Sequence, residues 1–170
     1  MDRRPGPPDD VLSEQRRAVE APGPGGHLDR CRRGRRRDHA DPAVGRDAVR
    51  VLLIDAANVI GSRPTGWWRD RPGAARRFTD RVRATVAAGR LPPPVTLVLE
   101  GRSRMGADET EDGGIRVVHA PGEGDDTIAA IAEAHDDVVV VTADRGLIDR
   151  VRRAGADVVG PGWLLDQLVD

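Results

Sequence analysis

No lysine occurs anywhere in the chain, so every cationic side chain apart from histidine is an arginine. That absence excludes a receiver-type phosphoacceptor, which gathers acids at a sheet edge but needs a lysine beside the phosphoryl group. A single cysteine, Cys31, excludes an internal disulfide framework and a cysteine metal cluster, and it suits a reducing cytoplasm. No apolar run approaches the ~18 residues needed to span a bilayer. The first residues also lack the apolar core of a signal peptide. No glycine-rich turn follows the first strand-like run, which argues against dinucleotide binding.

What is present is uneven along the chain. Residues 1–48 hold RRPGPPDD, EAPGPGG and RCRRGRRRDHADP, with almost no apolar periodicity. Such a segment cannot bury enough apolar surface to offset its ordering entropy, and it is expected to be disordered. Its arginines at positions 30–37 read first as a solvated run favoured by GC-rich coding. A basic arm adding salt-dependent affinity for nucleic acid is the second reading. Residues 49–170 suffice for one core and alternate strand-like with helix-like stretches.

The alternation centres on VLLIDAANVI, residues 51–60. Its apolar run reads as a strand buried on both faces of a parallel sheet, ending in Asp55. Breakers from Gly61 to Pro72 predict a loop over 58–72. The four-residue spacing of Ala74, Phe78, Val82 and Val86 predicts a helix over 73–88, stopped by Gly89. VTLVL (95–99) is a second strand followed by Glu100, and 102–114 reads as a mobile polar loop. A short strand at 115–118, a helix opened by Gly124-Asp125-Asp126, the strand VVVV (138–141), a helix after Asp144, a strand at 157–159 and a helix at 163–169 complete the series. The expected fold is α/β, a three-layer α/β/α arrangement around a mainly parallel sheet of about five strands.

Asp55 and Asp144 each end an apolar strand, and Asp125 and Asp126 open the helix before VVVV. If the VLLID and VVVV strands are neighbours, all converge on the carboxyl edge, where open α/β sheets bind ligands. Crowded carboxylates repel, and a hard divalent cation relieves that repulsion with oxygen ligands and retained waters. Asn58 can add a neutral oxygen or hold a water. Helix capping is the competing role for Asp144 and for one of Asp125 and Asp126. Asp136 and Asp137 precede their strand and belong to the opposite end.

The ordered motifs Asp55-x-x-Asn58, Gly124-Asp-Asp-x-Ile128, and Val141-Thr-x-Asp144-Arg145 with Gly155-Ala-x-Val-x-Gly-Pro161 resemble the NYN branch of the PIN-like nucleases, nearest the YacP-like proteins. The resemblance covers 49–170. It implies a Mg²⁺- or Mn²⁺-dependent endoribonuclease acting in the cytoplasm, with RNA as partner on or off the ribosome. It further implies metal roles for Asp55, Asp144 and one of Asp125 and Asp126, with the characteristic amide at Asn58 and Glu100 as an additional or outer ligand. Arg145, Arg102 and Thr142 are expected to contact substrate, since guanidinium groups bind phosphate in bidentate fashion. Arg63, Arg69, Arg71 and Arg104 lie on loops that can flank the cleft, and Trp67 or Trp68 can stack a base. His119 and His135 read as structural.

Other hydrolases at this edge fit less well. A dehalogenase-like phosphatase wants Asp where Ala57 stands, and a topoisomerase-primase site wants Asp-x-Asp where Arg145-Gly146 follow Asp144. The alternatives that remain are an RNA-binding or adaptor protein keeping the fold with little catalysis, and the toxin of a toxin–antitoxin pair.

Overall fold

The computed structural model describes residues 50–168. The arm expected over 1–48, with Cys31 and its arginines, lies outside them. Strand β1 (Val51–Asp55) is buried at all but its first residue, and β2 (Val95–Leu99) and β5 (Val138–Val141) are buried throughout. Side chains alternate between the faces of a strand, so a strand covered on both faces has to be almost wholly apolar. VLLID, VTLVL and VVVV meet that demand. β1 pairs in parallel with β2 on one side and with β5 on the other, which makes the VLLID and VVVV strands neighbours as expected.

The sheet has six strands in the order β3-β4-β2-β1-β5-β6. Strands β4 (Ile115–His119) and β6 (Asp157–Val159) extend it in parallel, and β3 (Thr110–Asp112) pairs antiparallel with β4. From β1 the chain builds outward through β2 to β4, then returns across the centre to β5 and β6. The carboxyl ends of β1 and β5 therefore flank the crevice created by this reversal.

Two cores separate along the alternation. Leu52 and Ile54 pack with Phe78 and Val82 of helix α2 (Arg71–Ala87), Val59 of helix α1 (Ala56–Gly61) and Leu164 of helix α5 (Pro161–Gln167). Leu53 and Val140 pack on the other face with Ile128 of helix α3 (Gly124–Ala134) and Leu147 and Val151 of helix α4 (Arg145–Arg153). The result is the expected three-layer α/β/α arrangement. Burying Leu52, Leu53 and Ile54 contributes roughly 5–9 kcal/mol, enough to hold the carboxylate that follows them at a poorly hydrated edge.

Four expectations are corrected. The chain after Asp55 is helix α1 rather than loop, because the Asp55 carboxylate caps it by accepting the Asn58 N–H at 3.0 Å, and Ala56 and Val59 give it a buried side. Helix α2 starts at Arg71, capped by Asp70 on the Gly73 N–H at 2.9 Å, with Pro72 in the first turn, where its missing N–H costs nothing. Its stripe runs through Ala75 rather than Ala74. The third correction concerns the loop expected over 102–114, which is a 3₁₀ turn (Gly101–Gly106) followed by β3. A Cβ on Gly106 would stand 2.3 Å from the Pro72 carbonyl and 2.8 Å from the Ala75 Cβ, so only glycine lets this turn lie on α2. The turn between β3 and β4 is Gly113-Gly114, both at positive φ, a hairpin conformation that glycine adopts without strain. Lastly, α5 begins two residues before the expected 163, with Pro161 opening it.

Candidate functional site

The alternation that sorts the cores also sorts the acids. Asp55 follows Leu53 by two residues, Glu100 follows Val98, and Thr142 follows Val140, so all three belong to the face covered by α3 and α4. The β1–β2 and β1–β5 registers place them at the carboxyl edge, with Glu100 lying outward of Asp55. Asp125 sits in the first turn of α3 and Asp144 caps α4, both beside that face.

Asp55 is the deepest of the group, 7% exposed. Its Oδ1 accepts the Asn58 N–H, and its Oδ2 accepts the Thr142 hydroxyl at 2.9 Å. That hydroxyl in turn accepts the Asp144 N–H at 3.1 Å, while Asp144 Oδ1 accepts the Leu147 N–H at 2.9 Å. The Asn58 side-chain oxygen accepts the Ala143 N–H at 2.9 Å, which ties α1 to the end of β5. Glu100 accepts the Gly124 N–H through Oε2 and closes a capping box with Ser103 at the start of its 3₁₀ turn. A side chain at 124 would crowd that carboxylate, since an added Cβ would lie 3.0 Å from Oε2.

Burial, above all, pushes the Asp55 carboxyl above the usual carboxylate range. The charges of Asp125 and Glu100 push the same way, and the hydrogen bonds from Asn58 and Thr142 oppose them. Asp125 is raised too, first by burial, then by Asp144 and Glu100, with Arg150 pulling down and Glu123 adding a little. Asp125 is thus within electrostatic reach of Asp55, Glu100 and Asp144, and Asp55 within reach of Glu100. Asp126 is turned elsewhere: its carboxylate pairs with the Arg150 guanidinium at 2.9 Å, and its side chain is largely exposed. Neither Asp125 nor Asp126 caps α3, whose N-cap is Glu123.

The group's donors are carboxylates and an amide, an oxygen set suited to a hard divalent cation. Among the described residues no three His, Cys, Asp or Glu side chains already stand close enough to enclose a metal ion. Mg²⁺ does not require that, because it keeps several waters and takes one or two carboxylates directly. The donor set therefore fits a cation held partly through water.

The expected substrate residues divide. Arg145 and Arg102 are exposed, at the first position of α4 and in the 3₁₀ turn after β2. Thr142, also expected to contact substrate, is 1% exposed, and its hydroxyl is committed to Asp55 and Asp144. Arg104 donates to the Gly101 and Ala120 carbonyls. His119 is anchored to the Ala107 carbonyl at 2.7 Å, and His135 Nδ1 donates to the Ile131 carbonyl at the end of α3. Sequence reasoning missed the support given by Thr142 and the bond from Gly124 to Glu100. The glycine opening α3 was the available signal for the second.

No family model matches the chain, and no curated protein matches it. Among solved structures it is similar to a mutant form of Rae1 (YacP) from Bacillus subtilis, with 18% identity and a TM-score of 0.52 over 69% of this chain and 72% of that one. No helix among the described residues is long and apolar enough to cross a membrane. The structural likeness is one of fold: the chain has a YacP-like arrangement of helices about a mostly parallel sheet.

Proposed function

We propose that the chain is a metal-dependent ribonuclease that hydrolyses RNA phosphodiester bonds at the carboxyl edge of its sheet. The observation that carries this is the buried, hydrogen-bonded Asp55 with Glu100 and Asp125 near it and Asp144 near Asp125, both Asp55 and Asp125 being raised by burial and like charge. Crowded, poorly hydrated carboxylates repel one another, and a hard divalent cation at this ligand-binding edge would relieve that repulsion. Mg²⁺ or Mn²⁺ would be held by Asp55, Asp125 and Asp144, directly or through water, with Glu100 further out. When bound, such an ion activates water and neutralises charge on the phosphate and on the leaving oxygen.

The chain's own groups set the geometry. Thr142 and the Asn58 backbone fix the Asp55 carboxylate, and Leu147 fixes one oxygen of Asp144 while leaving the other open. The Asn58 amide nitrogen has no protein partner among the described residues and can donate to a phosphate oxygen or to the attacking water. Exposed Arg145 and Arg102 offer guanidinium groups to the flanking phosphates. Attack by water needs no covalent intermediate, and the chain offers no lysine or cysteine at the site to form one.

A second reading, an RNA-binding protein with little catalysis, is favoured by the absence of three preassembled donors among the described residues. Cleavage of labelled single-stranded RNA by purified protein in Mg²⁺ or Mn²⁺, beside EDTA and Asp144→Asn, separates the two. Cleavage that needs metal and disappears in the variant supports the nuclease. RNA binding with no cleavage, or equal cleavage by the variant, overturns it.

A further inference from the structure

Beside the acids lies a pocket of about 180 Å³ lined by Ala57, Ile60, Trp67, Arg71, Glu100 and Ser103. Glu100 belongs to this pocket and to the acidic group, so the two share a wall. Its lining also includes Trp67, in a short 3₁₀ turn (Trp67–Arg69) ahead of α2. Trp67 is half-buried yet belongs to neither core, and its indole is covered by the Arg71 guanidinium, 5.3 Å from the ring centroid. Trp68 meets it edge-on at 6.2 Å. Among the described residues Arg71 makes no ion pair, and its guanidinium lies over the indole. A planar aromatic and a planar cation therefore line a small cleft next to a group suited to phosphodiester chemistry.

We propose that this pocket takes one unpaired nucleobase of the strand being cleaved, stacked against Trp67 and Arg71. The assignment rests on the nuclease reading for the neighbouring acids and names its substrate class as single-stranded RNA. Indole and guanidinium planes both stack on any base, because every base has a π-face. The volume suits a single ring system rather than a pair, and a base inside a duplex has its faces and its Watson–Crick edge already engaged. Because the pocket shares Glu100 with the acids, the seated base fixes which phosphate lies over them. Cleavage then falls at a constant offset from that base, whatever its identity.

The test is binding of a short labelled RNA in EDTA, where no metal-dependent cleavage occurs, combined with an abasic substitution moved along the strand. Trp67→Leu should weaken single-stranded RNA about tenfold, as loss of one stacked base does, with Trp67→Phe retaining most of the affinity. Trp68→Leu, outside the pocket lining, should bind as the parent protein does. One abasic position should cost the parent protein about tenfold and cost Trp67→Leu nothing. Unchanged binding by Trp67→Leu, or an abasic scan with no sensitive position, overturns the proposal. If Trp67→Leu fails to fold, the abasic scan on the parent protein decides alone. Metal-dependent cleavage with no sensitive position leaves the nuclease standing and removes the pocket. A sensitive position without cleavage does the reverse.

Discussion

Replacing Thr142 by valine tests the arrangement at its narrowest point. The hydroxyl donates to Asp55 and accepts from the Asp144 backbone, and the residue is 1% exposed, so water cannot replace it. Valine keeps the shape and removes both bonds. A hydrogen bond to a charged group contributes about 1.5–3 kcal/mol and a neutral one about 0.5–1.5 kcal/mol, so the loss should be about 2–4 kcal/mol near neutral pH. For a domain of this size that lowers Tm by about 8–15 °C. Burial and the charges of Asp125 and Glu100 hold the folded-state pKa of Asp55 above its unfolded value, and the Thr142 bond opposes them. Removing the bond raises that pKa further, so the deficit grows as pH rises through the folded pKa of Asp55 and shrinks as the carboxyl protonates below it. Thermal unfolding in EDTA across pH, beside the same substitution in an Asp55→Asn background, measures this. RNA cleavage should also fall by about 10–100-fold, the usual effect of losing a group that orients a ligand. A deficit under about 1 kcal/mol, or one equally large at acid pH and in the Asp55→Asn background, refutes the reasoning.

Asp125→Asn should reduce cleavage by more than ~100-fold, beyond what an outer partner costs, whereas Asp126→Asn should leave cleavage intact and cost under about 1 kcal/mol, because it breaks only an exposed pair with Arg150. The reverse pattern in a cleavage assay would exchange the two acids. Mg²⁺ at a hundredfold excess over its dissociation constant should stabilise the protein by about 2.7 kcal/mol in calorimetric melts, an effect abolished by Asp55→Asn, and no rise in Tm would count against a cation at the site. Asp55→Asn itself, in EDTA at neutral pH, should raise stability by up to about 1 kcal/mol, since it removes a charge that the fold disfavours, and the gain should vanish as Asp55 protonates in acid. Gly106→Ala should destabilise by about 1–3 kcal/mol in urea unfolding, because its methyl would overlap the Pro72 carbonyl.

The central strands were legible because VLLID, VTLVL and VVVV are almost wholly apolar, the pattern that burial on both faces calls for. The acids were legible because each stands at the end of such a strand or the start of a helix. Helix α1 was not, because AANVIG spans little more than a turn and a half and lacks a full apolar period. Its start depends on the Asp55 cap, and the notion of Asp55 as a site residue hid that second use. Strand β3 is wholly exposed and carries Thr, Glu and Asp, so no periodicity marks it. The Gly113-Gly114 turn was its only sequence signal. The choice between Asp125 and Asp126 depends on Arg150, an i-to-j contact between two helices that no local pattern encodes.

On the sequence, helix capping is a rival to a site role for Asp144 and no such rival arises for Asp55, yet both residues cap helices, and capping is compatible with a site role at each. Each carboxylate uses Oδ1 to accept a backbone N–H three residues on, which fixes its rotamer and aims the other oxygen. At Asp55 that second oxygen is steadied by Thr142, and at Asp144 it has no protein partner among the described residues. A capping carboxylate is thus oriented in part by helix formation itself, with Thr142 adding a second hold at Asp55. The two uses differ in what they require. Asparagine caps a helix about as well as aspartate, so capping alone would tolerate the amide at both positions. Burial and like charge act against the ionised form at Asp55, so capping alone would favour the amide there. That the chain nevertheless carries a carboxylate at this buried position is what an ion-binding role demands and a purely structural one does not.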